Sequence, residues 1–197
     1  VNHENGKTLA LILKNLKALR IYNIHYKVLN SKYFGVAQNR ERIFIVGIKK
    51  QYQKQPFVFP KPYTKPIPKI SEFLDKAVTK IPLSEYESKN LRYFSDKYHS
   101  KGIDLHKSNY VIDTGATPEF ASVMKDISPC LKASRCDYYL TKSKRKLSPR
   151  ECLRLQGFPD SFKIVVSDSQ IYKQAGNSIT VNVLCEIIKQ VFKALNK

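Results

Sequence analysis

The stretch that decides the fold is Phe34-Gly35-Val36-Ala37-Gln38-Asn39-Arg40-Glu41-Arg42-Ile43-Phe44-Ile45-Val46-Gly47. Its second half continues into Ile48 as an almost unbroken apolar run. A strand with one wet face alternates, whereas a strand covered on both faces does not. The run therefore predicts a buried strand of a mixed or parallel sheet, and Gly35 marks a break in the chain before it. On an extended chain, side chains two apart share a face. Gln38, Arg40 and Arg42 would then project together, one amide and two guanidiniums. Such a face suits a phosphate and a carbonyl oxygen, because guanidinium presents several donors in a fixed fork. The same spacing fits an exposed strand start whose arginines pair with nearby acids.

Towards the N-terminus, Leu9, Ile12, Leu13, Leu16 and Leu19 recur at helical spacing, with Thr8 placed to cap that helix. Ile24, Tyr26 and Val28 alternate as on a strand. Residues 1–48 thus read as the first segment of an α/β domain. Beyond it the texture changes. Pro56, Pro60, Pro62, Pro66 and Pro68 interleave with Lys54, Lys61, Lys65 and Lys69, and no acid lies between Lys49 and Ile70. That is a linker or an extended basic surface. Residues 49–146 form a second, irregular region in which short strands are expected. Residues 147–197 regain regular patterning. Ser148 and Glu151 form a capping box, with Pro149 at a first helical position. Gly157 and Pro159 stop that helix, and a last helix starts near Thr180. Its apolar face is Val181, Leu184, Ile187, Ile188, Val191 and Leu195. The chain is thus read as 1–48, 49–146 and 147–197.

Charge narrows the partners. Lys and Arg number 35 against 16 acids, a formal net charge of +19 over 197 residues. Cations in such excess favour a polyanion, because neutralising phosphates releases condensed counterions. Lysine-rich solvated surface alone would give a similar count. Hydrophobic residues make up 42% of the chain, which is enough for a core. No apolar run approaches the roughly 20 residues a membrane helix needs, and no secretion signal opens the chain. The four cysteines form no CxxC pair, so no zinc site is indicated. Reduced thiols in a cytoplasm are expected. The chain opens on Val1, a hint that something upstream is missing.

Two further stretches carry polar groups in suggestive places. Arg150 and Arg154 are four apart and share a helical face. They could hold backbone phosphates or bridge segments through carboxylates. Gly176-Asn177-Ser178, just before the last helix, reads as a turn with free N–H groups, suited to a carboxylate or phosphate. An ordinary helix-start turn would look the same.

In combination and in this order, these stretches resemble the cytosine-5 DNA methyltransferase family. Residues 34–47 resemble its eighth conserved block. Residues 147–160, with Pro149-Arg150-Glu151-Cys152 and Gln156-Gly157-Phe158-Pro159, resemble its ninth. Residues 170–184, with Gly176-Asn177-Ser178 and Asn182-Val183-Leu184, resemble its tenth. The opening Asn2-His3-Glu4-Asn5-Gly6-Lys7-Thr8 is similar to the segment after the sixth. The intervening region falls where the family keeps its variable target-recognition domain.

The resemblance implies the C-terminal part of a Rossmann-like α/β methyltransferase domain around a small target-recognition domain. Family enzymes flip a cytosine out of the duplex. A cysteine thiolate attacks C6, and C5 takes a methyl group from S-adenosylmethionine. By the resemblance Arg42 would contact the cytosine O2 and Arg40 would help hold the flipped nucleotide. Asn177 and Ser178 would lie at the methionine end of the cofactor. Gln38, Lys132, Ser134 and Arg135 are the DNA-contacting candidates. Lys132, Ser134 and Arg135 lie in a stretch similar to the family's short Thr-Leu signature, where Cys130 replaces the usual threonine. Arg135 could read guanine, and Lys132 could equally touch phosphate blind to sequence. Double-stranded DNA is the expected partner. The setting expected is a bacterial or phage-type cytoplasm, nucleoid-associated, with a restriction enzyme as possible companion.

What the sequence lacks bears equally on function. The family nucleophile sits in Pro-Cys-Gln, a tripeptide absent from this sequence, and Pro129-Cys130 is followed by Leu131. The Glu-Asn-Val block and the Phe-x-Gly-x-Gly cofactor loop are absent too. Gly6-Lys7-Thr8 is no P-loop, since the upstream glycine and strand are missing. The chain is expected to be incomplete as an enzyme by itself. It would be a subunit of a split methyltransferase or a part of a longer one, with an N-terminal half carrying the cysteine. The alternative is a catalytically inactive DNA-binding module or truncated remnant.

Overall fold

A computed structural model of the chain describes residues 6–76, 78, 82–133 and 137–196. In chain order its helices and strands are α1 (Lys7–Ala18), β1 (Tyr22–Asn30), β2 (Glu41–Lys49), α2 (Glu85–His99), β3 (Tyr110–Asp113), β4 (Val123–Lys125), β5 (Tyr138–Leu140), β6 (Arg145–Lys146), α3 (Pro149–Leu155), α4 (Asp168–Asn177) and α5 (Val181–Leu195). The chain divides into two compact units. One comprises residues 1–30, 41–62 and 183–197, the other 31–40 and 63–182. The units do not divide at 48/49 and 146/147, because residues 31–40 and 147–182 gather with the middle of the chain.

In the first unit α1 starts one residue before Thr8. Its N-cap is Gly6 in the left-handed region at φ +84°, so Thr8 lies inside the helix and does not cap it. β1 and β2 pair antiparallel, from Tyr22 opposite Lys49 to Asn30 opposite Glu41. Among the described residues neither strand has another strand neighbour. This differs from the mixed or parallel sheet that the apolar run suggests. An apolar run reports how many faces a strand expects to cover, not the direction of its neighbour. One face of β2 is covered as expected: Val46 and Ile48 pack with Phe57, Phe59 and, from α5, Val191, Ala194 and Leu195. Burying side chains such as Ile48 and Phe57 contributes about 1.5–3 kcal/mol each. On the opposite pleat Tyr26, Val28 and Ile45 stay exposed. α5 buries Val183, Ile187 and Ala194 but leaves Ile188 and Phe192 exposed. Its apolar stripe is wider than the surface that meets it.

The second unit is built on a four-stranded antiparallel sheet in the order β4-β3-β5-β6. Val111 and Ile112 of β3 pair with Leu140 and Tyr139 of β5 on one side and with Met124 and Val123 of β4 on the other. The main core joins Val111, Tyr138 and Leu140 to Leu147, Cys152, Leu153 and Leu155 of the α3 region and to Ile171 and Ala175 of α4. α2, which the sequence reading did not place, is closed at its start by a capping box. Ser84 Oγ accepts from the Glu87 N–H at 3.2 Å, and the Glu87 carboxylate accepts from the Ser84 N–H at 2.8 Å. Its Phe94 seals a second cluster with Leu105 and Ile112. α3 carries the same device, with Ser148 and Glu151 in the two roles and Pro149 at its first turn, as its sequence predicts. Gly157, at φ +81°, then turns the chain where an L side chain is disfavoured.

Candidate functional site

The polar centre of the second unit is Arg40. It is 4% exposed, so its charge must be met internally. One guanidinium nitrogen donates to the Leu131 carbonyl at 3.1 Å and lies 3.2 Å from Cys130 Sγ. The other donates to the carbonyls of Gly176 at 3.0 Å and Ser178 at 2.7 Å. Gly176 and Ser178 flank the last residue of α4, where carbonyls lack intrahelical partners and the helix dipole is negative. Arg40 thus closes α4 at its C-terminal end and ties it to residues 130–131.

Gln38 is the second internal tie. It is fully buried, its amide N–H donating to the Leu155 carbonyl at 2.8 Å and its amide oxygen accepting from the Leu131 N–H at 3.2 Å. The expectation that Gln38, Arg40 and Arg42 share one exposed face is therefore corrected. Residues 37–39 are not part of β2. They form an isolated parallel bridge to Ser128, with Asn39 N–H donating to Ser128 O at 2.9 Å and Ser128 N–H to Ala37 O at 2.7 Å. Gln38 has no surface with which to touch DNA in this arrangement, and Arg40 faces inward. Arg42, on β2 of the first unit, is exposed, and its guanidinium donates to the Glu41 carbonyl at 2.7 Å.

Asn177 is exposed at the end of α4 and Ser178 is half-buried just beyond it. Residues 176–178 are therefore the close of a helix, not a turn of free N–H groups, and their carbonyls are the groups in use. The two side chains border an open concavity of about 450 Å³ with Leu153, Phe158, Phe162, Gln170, Lys173 and Gln174. Phe158 and Phe162 lie with ring centroids 4.9 Å apart. The sequence reading placed Phe158 in the stretch that resembles the ninth block but gave neither aromatic a role at a site. Gly157 and Pro159 around Phe158 signal a forced turn, but which way the ring points depends on α4. The polar lining is the amides of Gln170, Gln174 and Asn177, the Ser178 hydroxyl and the Lys173 ammonium, beside aromatic faces. Amides can donate to a carboxylate and accept from an ammonium, and a ring face attracts a cation. Lys173 and the amides suit a ligand's carboxylate, and the ring faces suit a positive centre set away from Lys173.

Lys132 is 43% exposed on its side chain, and its ammonium pairs with the buried Asp113 carboxylate at 2.7 Å. Ser134 and Arg135 lie outside the described residues. For Arg154 the carboxylate alternative holds. It grips Asp160 with two bonds of 2.6 and 2.9 Å and Asp75 with one of 2.6 Å. The bonds from Arg154 hold the Asp160 carboxyl below its ordinary range, and Asp160 and then Asp75 raise the guanidinium above its own. Arg150 has a buried Nη1 with no hydrogen-bond partner among the described residues. No described helix is long and apolar enough to cross a membrane. Cys130, Cys152 and Cys185 are free thiols.

In this mixed α/β chain Arg40 locks a helix-closing Gly-Asn-Ser beside an aromatic-lined concavity. Residues 1–193 fit the model of the C-5 cytosine-specific DNA methylase family, and the chain belongs to it. Among curated relatives it is 32% identical to the type II methyltransferase M.SsoII of Shigella sonnei, over 100% of this chain and 51% of that protein. It is also 32% identical to the type II methyltransferase M.HhaI of Haemophilus parahaemolyticus, over 99% of this chain and 61% of that one. The chain thus spans about half to three-fifths of the length of these relatives. A solved structure of a mutant DNMT2 from Spodoptera frugiperda superposes with a TM-score of 0.65 at 18% identity, over 96% of this chain and 63% of that one. That likeness supports the methyltransferase fold.

Proposed function

We propose that this chain supplies the target-recognition part of a DNA (cytosine-5-)-methyltransferase, together with part of its cytosine and S-adenosylmethionine sites. The observation that carries the reading is the convergence on Arg40 of three stretches that resemble family blocks or signatures: residues 38–40, 130–132 and 176–178. Residues 49–146 are the recognition region in this reading, with Lys132, Ser134 and Arg135 meeting duplex DNA. The net charge of +19 supports a polyanionic partner. Arg42 remains the group for the cytosine O2. S-adenosylmethionine supplies the methyl group. Asn177 and Ser178 take its amino-acid end, with Phe158 beside them. The relatives' description as type II methyltransferases supports a setting in a restriction-modification system.

The nucleophile is proposed to come from elsewhere, in a partner subunit or in a longer polypeptide. Pro-Cys-Gln does not occur in the sequence. Cys130 does not stand in that context, because Leu131 follows it and it lies in the recognition region. The test is a pull-down of the tagged chain from its native host, with mass spectrometry of what accompanies it. A polypeptide at equal stoichiometry bearing Pro-Cys-Gln and Glu-Asn-Val supports a split enzyme, and peptides continuous with Val1 support a longer chain. Recovery of the chain by itself would leave a DNA-binding module or remnant. Methyl transfer by the pure chain, abolished by Cys130→Ser, would overturn the reading.

A further inference from the structure

We propose that Arg40 is a positioning residue that couples the end of α4 to the recognition segment, so that Asn177–Ser178 and Leu131–Lys132 are held or released together. The inference rests on the recognition reading for residues 130–132, and it departs from a contact between Arg40 and the flipped nucleotide. The guanidinium is buried and its acceptors are main-chain carbonyls from two segments, with a sulfur as neighbour. A fork geometry is required, because the Leu131 carbonyl is reached from one terminal nitrogen and those of Gly176 and Ser178 from the other. Lysine offers one point charge and cannot span both.

The backbone is shaped to this clamp. A Cβ on Gly176 would fall inside the contact distance of the Lys132 carbonyl and the Ala133 nitrogen, so glycine lets α4 touch the recognition segment directly. Around the clamp each segment has its own neutral tie. Gln38 holds the Leu131 N–H, and Gln156 donates to the Ala175 carbonyl at 2.6 Å. Among the described residues Arg40 has a side chain that bonds to both. The carbonyls it holds, at residues 176 and 178, flank Asn177, so the orientation of the Asn177 and Ser178 side chains follows from the clamp. A ligand that orders either segment then lowers the cost of ordering the other, a coupling that is reciprocal by linkage.

The test uses the full chain and three variants, Arg40→Lys, Arg40→Met and Arg40→Ala. Hydrogen exchange is read at amides whose acceptors are known: Lys132 N–H, bonded to the Tyr138 hydroxyl, and Ser178 N–H, bonded to Ala175 O. Arg40→Met is expected to speed exchange at both by about tenfold or more, in parallel, while Ile112 and Tyr139 in the sheet keep their protection. Arg40→Lys should behave like Arg40→Met. Millimolar methylguanidinium should restore both amides in Arg40→Ala. Faster exchange at one amide alone, full protection in Arg40→Lys, or no rescue would overturn the coupling. Binding of a 30-base-pair duplex, followed by anisotropy, separates this from the reading beneath it. A chain that binds no DNA refutes the recognition reading, while the exchange data still decide the clamp. If the chain binds, Arg40→Ala should weaken binding and methylguanidinium should restore it, and equal affinities would count against the coupling.

Discussion

Replacing Glu151 with alanine should unfold the second unit more readily than any other single carboxylate deletion. Glu151 is fully buried, and each of its oxygens accepts two hydrogen bonds. Arg145 donates to Oε2 at 2.8 Å and to Oε1 at 2.5 Å, the Ser148 N–H donates at 2.8 Å and the Asp75 N–H at 2.7 Å. Removing the carboxylate leaves the guanidinium of Arg145, itself nearly buried at 7% side-chain exposure, without its counter-charge and with the main-chain carbonyls of Lys146 and Asp75 as its acceptors. Breaking one partner of a buried pair costs about 3–5 kcal/mol. That is a large share of the roughly 5–15 kcal/mol available to a domain. At about 2–4 °C per kcal/mol for a chain of this size, the midpoint should fall by about 6–20 °C. Thermal melts by circular dichroism and urea titrations of Glu151→Ala read it directly. The double variant Arg145→Met with Glu151→Leu removes both charges and should lose only about 1 kcal/mol, the worth of the cap. A single variant within about 1 kcal/mol of wild type, or a double variant worse than the single, would refute this account of the pair.

Three further perturbations have definite expected outcomes. Gly176→Ala should destabilise the chain by about 1–3 kcal/mol in urea titrations, because the added methyl meets the Lys132–Ala133 backbone. For Glu87, burial pushes the carboxyl upward, but the Ser84 N–H and the Lys146 ammonium outweigh it and hold the group below its ordinary value. A depressed folded value adds stability above the unfolded carboxylate range, near pH 4.3, and loses it as pH falls through the folded value. The urea midpoint of wild type should therefore converge on that of Lys146→Met as pH is lowered from 6 to 3. An unchanged gap would refute it. Ile45→Lys, at an exposed apolar position of β2, should shift the isolated chain towards smaller species in sedimentation velocity with little change in its melting.

Local chemistry was the legible part of this sequence. The capping box at Ser148–Glu151, the proline beside it and the stop at Gly157 each act within a few residues, and the structure has them where the pattern puts them. The Ser84–Glu87 box was equally local and announces α2, yet it sits in a stretch whose irregular composition hides helical spacing. The direction of the β1–β2 pairing was not legible, since an apolar run carries no information about the sense of its neighbour. Gln38 and Arg40 show the deeper difficulty. Their spacing is that of a face, but their acceptors lie 91 to 138 residues away, at Leu131, Leu155, Gly176 and Ser178. Polarity suggested an outward role, whereas main-chain carbonyls made an inward one possible. Asn177 and Ser178 were singled out by resemblance, whereas the place of the Phe158 ring beside them depends on α4.

The β1–β2 ribbon carries a consequence for how such a chain can be produced. β1 intersperses Asn23, His25 and Lys27 among its apolar residues, while β2 runs Ile43 to Ile48 with little interruption. α5 covers one face of this ribbon, but among the described residues its outer edges meet no further strand and can take one. Two copies of the same chain can supply one another, and that encounter rises with the square of their concentration. Overproduction of the isolated chain therefore favours self-association.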